Sequence, residues 1–348
     1  MSKFRAQRKH EHLALALQGS RCSFATYFDD IQLPHDCLTT VNPGEVDLSG
    51  SLCGYPVDVP FFINAITGGT LRTMTVNMNL AQVAKRFQVP MAVGSQTAAL
   101  DNKRMEKTFR IVRKLNPHGL IMANVSASTP PALALRAVDM LDAQILQLHL
   151  NPAQEFIMPE GDRPKSGLLN NIAEICSRAS VPVIVKEVGF GILPAQYKQL
   201  TTLGVQGIDI SGTGGTNFAV IEGRRNCGDW WRPFTNWGYP TPVCVALCAP
   251  LKTTGVDLVA SGGITDGLKS LKLLALGADS TGIAGHYVQL LIRQGPEAAN
   301  LFTANLIRQL RVGLALMGLK SIGELRNQKP HIGGKLAALL ACYSQNKV

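Results

Sequence analysis

The 348-residue chain has no Cys-x-x-Cys pair, no window of about 18 apolar residues and no Gly-x-Gly-x-x-Gly turn. The first absence removes the common zinc and dithiol redox motifs, the second a membrane-spanning helix, and the third the dinucleotide fingerprint of an open doubly wound sheet. Charged residues are scarce at 17% and aromatics at 6%, while hydrophobic residues reach 46%. That balance belongs to a globular chain with a large core and not to a disordered one. The eight cysteines follow no small-scaffold spacing and read as reduced thiols in a cytoplasmic protein. The start of the chain carries no apolar stretch before Leu13, and Leu13–Leu17 is too short for a signal segment. His10-Glu11-His12 lacks the two-residue gap that puts both imidazoles of a zinc helix on one face, so zinc is discounted.

What the chain does have is a formal charge of +10, suited to an anionic partner. Residues 301–348 hold Arg308, Arg311, Lys320, Arg326, Lys329, Lys335 and Lys347 against a single acid, Glu324. Aromatic interleaving is missing there, so a solvated face is expected and no nucleic acid partner. From residue 60 onward, eight short β-rich runs alternate with helical patterns. The runs are 61–66, 91–94, 120–125, 145–150, 183–188, 207–210, 258–260 and 280–283, and each gives way to small or polar residues. Eight such units predict a closed (β/α)8 TIM barrel with its site at the strand C-terminal ends. The expected organisation is a single domain over 1–348, with an N-terminal cap over 1–59, a barrel core over 60–300 and a C-terminal helical region over 301–348. All three tryptophans, Trp230, Trp231 and Trp237, fall in the long interval after the sixth run. A lid, an oligomer contact or simple packing would each account for them.

The chemistry concentrates at the ends of the runs. Period-2 alternation puts Gln147, His149 and Asn151 on one strand face, and Gln154-Glu155 follows. A ligand is one reason for that polar face; satisfied core polars are the other. Lys186 closes an apolar strand and needs a partner, which a flavin, a Schiff base or an ion pair with Asp209 or Glu222 would supply. Ser95 and Asn124 end two further strands and suit the edge of a planar heterocycle. Thr213-Gly214-Gly215-Thr216, Ser261-Gly262-Gly263-Ile264 and Ile283-Ala284-Gly285 form three glycine-containing turns late in the barrel, where a cofactor phosphate is expected. Arg8-Lys9 is either solvated or reaches across a barrel mouth to a diphosphate.

These residues, taken in order with Thr67-Gly68-Gly69, Gly94-Ser95-Gln96, Lys186-Glu187-Val188-Gly189 and Glu222-Gly223-Arg224-Arg225, resemble one family over nearly the whole chain. It is the type 2 isopentenyl-diphosphate delta-isomerases, which are FMN-dependent barrels. The resemblance implies that Ala65, Ile66, Thr67, Ser95, Asn124, Lys186, Ser211 and Thr216 line an FMN site. Gly262, Gly263, Ala284 and Gly285 would hold its phosphate. Arg8, Lys9, His149 and Asn151 would hold the substrate diphosphate, Glu155 would ligate Mg²⁺, and Gln154 would be the catalytic residue at the isoprene end. The reaction implied is interconversion of isopentenyl and dimethylallyl diphosphate on reduced FMN, with NADPH or NADH as reductant, in a homotetramer or larger assembly. Two departures stand out: Thr97 where some members carry a basic residue, and Ile66 where methionine is common. The rival on the same barrel is an FMN-dependent 2-hydroxy-acid oxidase or dehydrogenase, but the stretches 211–216 and 261–266 supply neither the histidine base nor the arginine it needs. A basic RNA-binding barrel is the alternative from another class; it would show salt-steep affinity and no flavin.

Overall fold

In the computed structural model, residue 15 and residues 26–65, 67–161, 166–226 and 228–345 are described. Arg8, Lys9, His10–His12 and Ile66 therefore lie outside the described residues. The eight parallel strands close into a barrel in chain order. They are β1 (Phe61–Ile63), β2 (Met91–Ala92), β3 (Ile121–Ser126), β4 (Ile145–His149), β5 (Val183–Lys186), β6 (Gly207–Asp209), β7 (Asp257–Ser261) and β8 (Ser280–Ile283). The last strand closes on the first, with Thr281 opposite Phe61 and Ile283 opposite Ile63. All eight expected runs become barrel strands. Five of them stop short of the expected end, at Ile63, Ala92, His149, Lys186 and Asp209, where the chain begins to turn out of the ladder toward the loops above the strand ends.

Alternation explains how the barrel fills. Outward residues such as Ile63, Ala123, Leu146, Val185 and Ile208 join the core beneath the surrounding helices. Inward Phe62, Met122, Ile184 and Val259 come from the odd strands and pack together with Ala92 and Ile145. Four side chains from alternate strands make one layer of a barrel interior. The hairpin Gly50–Leu52/Tyr55–Val57 seals the strand-start end by adding Leu52, Cys53 and Val57 to this cluster. Cys53 N–H donates to Asp257 at 2.6 Å, and Cys53 Sγ to the Gln206 carbonyl at 3.3 Å. Two residues further along the odd strands the interior changes character, to Asn64, Asn124, Lys186 and Ser261, all buried.

The N-terminal stretch is also tied to the end of the chain, because Ile31–Gln32 pairs antiparallel with His331–Ile332. Helix Pro296–Leu316 lies in the outer ring and buries Leu306, Leu310 and Leu314. Cys37, Cys53, Cys176, Cys244, Cys248 and Cys342 are free thiols. Among the described residues no helix is long and apolar enough to cross a membrane.

Candidate active site

The polar layer is held by hydrogen bonds that cross the barrel. Asp209, fully buried on β6, accepts from Ser261 Oγ at 2.6 Å and from Asn64 Nδ2 at 2.7 Å. Asn64 Oδ1 accepts from Gln147 Nε2 at 3.2 Å, Gln147 Oε1 accepts from Asn124 Nδ2 at 3.1 Å, and Asn124 Oδ1 lies 2.9 Å from His149 Nδ1. Gly282 on β8 makes room for this chain, since a Cβ there would lie 2.6 Å from Asn64 Nδ2. Gln96, fully buried, pins Asn124 in turn: its Oε1 accepts the Asn124 N–H at 2.9 Å.

Lys186 sits opposite Asp209 in the β5–β6 register and donates from Nζ to the Glu187 carbonyl at 2.6 Å. Burial pulls the ammonium below its ordinary range, while the Asp209 and Glu187 charges oppose that shift. For Asp209 burial raises the carboxyl, and Lys186, Ser261, Asn64 and the Ser211 N–H act against the rise. Of the partners open to Lys186 from sequence, Asp209 is the one the barrel sets beside it. Glu187 turns away and accepts three backbone N–H groups, from Val188, Gly189 and Phe190, at 2.6, 2.7 and 2.6 Å.

Above the layer the strand ends form a rim. Ala65, Thr67, Ser95, His149, Asn151, Thr216, Gly262, Gly263, Ala284 and Gly285 are all half-buried there, whereas the strand bodies are buried. Ser95 Oγ and Thr97 Oγ1 lie 2.9 Å apart. Ser211 holds a left-handed conformation, φ +35°, costly for a residue with a side chain and supported by its N–H to Asp209 Oδ1 at 3.2 Å. The turn after β7 also needs glycine at 262: its φ is +106°, and a Cβ would overlap the Gly212 carbonyl oxygen. Two of the three glycine turns thus lean on each other, so close packing accounts for some of their glycines. Helix Gly285–Gln294 begins directly after β8 with no side-chain cap, which leaves its first N–H groups at the rim. Thr213 Oγ1, in the turn after β6, is a buried hydroxyl without a hydrogen-bond partner.

A second cluster stands over the β4 end. Helix Pro152–Ile157 carries Gln154 and Glu155, and helix Phe218–Gly223 carries Glu222, which is fully buried. Asn151 Nδ2 donates to Gln154 Oε1 at 3.2 Å and to Glu155 Oε1 at 2.9 Å. Gln154 Nε2 donates to Glu222 Oε1 at 2.8 Å, and Arg225 bridges Glu222 Oε2 and Glu160 Oε1 at 2.5 and 2.6 Å. Beside it Ile157, Phe190, Ala219, Val220 and Trp231 pack into an apolar wall. Of the three tryptophans only Trp231 is packed; Trp230 and Trp237 are 53% and 61% exposed.

The donor set fits FMN. Lys186 and the amides of the polar layer suit a heterocycle that gains negative charge on reduction, and the glycine turns with the helix start after β8 suit its phosphate. For Mg²⁺ the fit is narrower: among the described residues no three metal-ligating side chains gather, so Glu155 would share the ion with substrate oxygens. Sequence reading missed Asn64, took Asp209 only as an ion-pair candidate, and named Arg225 only within the stretch 222–225 without giving it a role. Inward parity two residues beyond Phe62 and Gly207 is the available signal for Asn64 and Asp209.

A family model for FMN-dependent dehydrogenases matches residues 103–331. The isopentenyl-diphosphate delta-isomerase of Listeria welshimeri is 41% identical over 333 residues, covering 96% of this chain and 93% of that protein. The enzyme of the same name from Geobacillus sp. is 41% identical over 323 residues, 92% of each chain. Among solved structures, a flavocytochrome b2 variant with sulfite bound superposes with a TM-score of 0.68 at 17% identity, covering 92% of this chain and 82% of that one. A mandelate oxidase variant gives 0.66 at 13%, covering 94% and 98%. At such identities these two show a shared barrel and no more. The relatives close in sequence and the family match decide the membership: the chain belongs to the FMN-dependent dehydrogenase family and, within it, to the isopentenyl-diphosphate delta-isomerases.

Proposed function

We propose that the protein interconverts isopentenyl and dimethylallyl diphosphate, with bound FMN in its reduced state and Mg²⁺. The observation that carries this reading is the contact of Gln154 with the buried Glu222 beside an apolar wall, directly over the rim. The reaction adds a proton at the terminal alkene carbon and removes one from C2, so it needs a proton-handling group in a site that keeps water from a carbocation-like state. Reduced FMN, when bound, supplies proton exchange at its N5 without net redox change.

The chain's own residues supply the rest. His149 and Asn151 would meet the diphosphate at the β4 end, and Glu155 would hold Mg²⁺ against it. Gln154 has no usable pKa as an acid or base; its amide orients the isoprene end and hands hydrogen bonding on to Glu222. Glu222 can take or return a proton. Ile157, Val220 and Trp231 would cover the hydrocarbon. The same reading includes Arg8 and Lys9 on the diphosphate, NADPH or NADH as reductant, and a self-associating cytoplasmic protein.

The test is anaerobic conversion of isopentenyl diphosphate by purified protein with FMN, Mg²⁺ and NADPH, beside a control without reductant. Conversion only with reduced flavin supports the proposal. No conversion by protein that holds reduced FMN would overturn it and turn attention to oxidisable substrates.

A further inference from the structure

The hydrogen bonds across the barrel have a direction, and that direction reaches His149. An ionised carboxylate only accepts, so Asn64 presents Nδ2 to Asp209 at 2.7 Å. The Ala65 N–H, 2.8 Å from Asn64 Oδ1, demands the same orientation from the other side. With Asn64 Oδ1 facing β4, Gln147 must present Nε2, at 3.2 Å. Its Oε1 then faces Asn124, which must donate from Nδ2, at 3.1 Å. Asn124 Oδ1 is left for His149 Nδ1 at 2.9 Å, and an amide oxygen can only accept. Each amide has one oxygen end and one nitrogen end, so no link can reverse alone without setting like groups against each other in a buried site.

We infer that Asp209, Asn64, Gln147 and Asn124 are positioning residues that fix His149 as its Nδ1–H tautomer through a relay that crosses the barrel interior. The lone pair of the neutral ring then lies on its other nitrogen, Nε2. In the neutral ring it accepts, and it donates only in the imidazolium form. A diphosphate is rich in acceptor oxygens and calls for the donating form, so the relay makes a proton on Nε2 part of ligand recognition. That last consequence rests on the isomerase reading; the tautomer does not. Asp209 also faces Lys186, so the relay starts from the same carboxylate that balances the buried ammonium.

The experiment is a long-range ¹H–¹⁵N correlation spectrum of flavin-loaded protein labelled with ¹⁵N-histidine. It is recorded without substrate about two pH units above the ordinary imidazole value of about 6.5, where the ring is neutral. The sequence holds seven histidines, and His149→Gln assigns the signal. The expected spectrum shows His149 with its proton on Nδ1. Asn64→Leu cuts the relay three links away at similar volume and should release the ring into a mixture of both tautomers. Gln147→Met cuts it one link closer, beside Met122 Sδ at 3.6 Å, and serves if the first variant does not fold. A wild-type His149 protonated on Nε2 overturns the inference, as does an unchanged Nδ1–H signal in the folded variants. Because no substrate is present, the spectrum does not depend on whether the isomerase assay succeeds.

Discussion

Gln154 Nε2 lies 2.8 Å from Glu222 Oε1, joining the first turn after β4 to the helix after β6. With Arg225 donating to its other oxygen, the fully buried Glu222 receives hydrogen bonds from both sides. Glu222→Gln keeps the shape but sets an amide NH2 against one of these donors and removes the proton acceptor. If Glu222 handles a proton, kcat should fall about 100-fold or more with FMN content unchanged. A kcat within a few-fold of wild type would take Glu222 out of the proton path.

The glycine at 262 is needed by geometry, because a Cβ there meets the Gly212 carbonyl oxygen and φ is +106°. Gly262→Ala must push the turn after β7 away from the turn after β6, at a cost on the order of 2 kcal/mol. The expected result is a Tm lowered by about 4 °C or more and weaker retention of FMN on gel filtration. Full flavin occupancy in the variant would show that the turn does not touch the cofactor.

Much of this site is legible in the sequence, for reasons the structure makes plain. Period-2 alternation within β4 is a local property, so Gln147 and His149 are readable as a polar face without knowing their partners. Lys186 announces itself as a charge in an apolar run. Asn64 and Asp209 act through neighbours that closure of the barrel brings together, 145 positions apart for this pair, and nothing local to either residue reports that. Strand ends are overread for a related reason: 64–65 and 187–188 have strand-like composition, but after a last bond to a neighbouring strand, from Asn64 N–H to the Ile283 carbonyl and from Glu187 N–H to the Asp209 carbonyl, the next N–H groups turn to the Asn64 and Glu187 side chains. The paired glycine turns are readable as turns, while their contact with each other is again a matter of closure.

Glu187 gives the fold a pH signature. Burial pushes its carboxyl up to about 7 from the ordinary 4.5, against the pull of three backbone N–H donors. Between those values the folded protein keeps a proton that the unfolded chain has released. Stability should therefore decline as pH rises from about 4.5 through about 7, by at most about 3 kcal/mol from this group, and level off above. Glu187→Gln removes that contribution, so its Tm plotted against pH should lack the decline. Parallel curves for variant and wild type would mean that the three amide donors hold Glu187 ionised throughout.

Glu155 differs from Glu222 in exposure and in company. It is half-buried at the rim, and its Oε1 accepts from Asn151 Nδ2 at 2.9 Å. A carboxylate at an opening, beside the residues proposed to meet a diphosphate, is where a hard cation bridging protein and substrate would sit. Glu155→Gln keeps a carbonyl oxygen and the helix turn but loses the charge that competes for Mg²⁺ against water. Half-maximal activity should then require about tenfold more Mg²⁺, equivalent to about 1.4 kcal/mol of binding, with the flavin spectrum unaltered. An unchanged Mg²⁺ titration would move the metal away from Glu155 and leave the substrate oxygens, or side chains outside the described residues, to hold it.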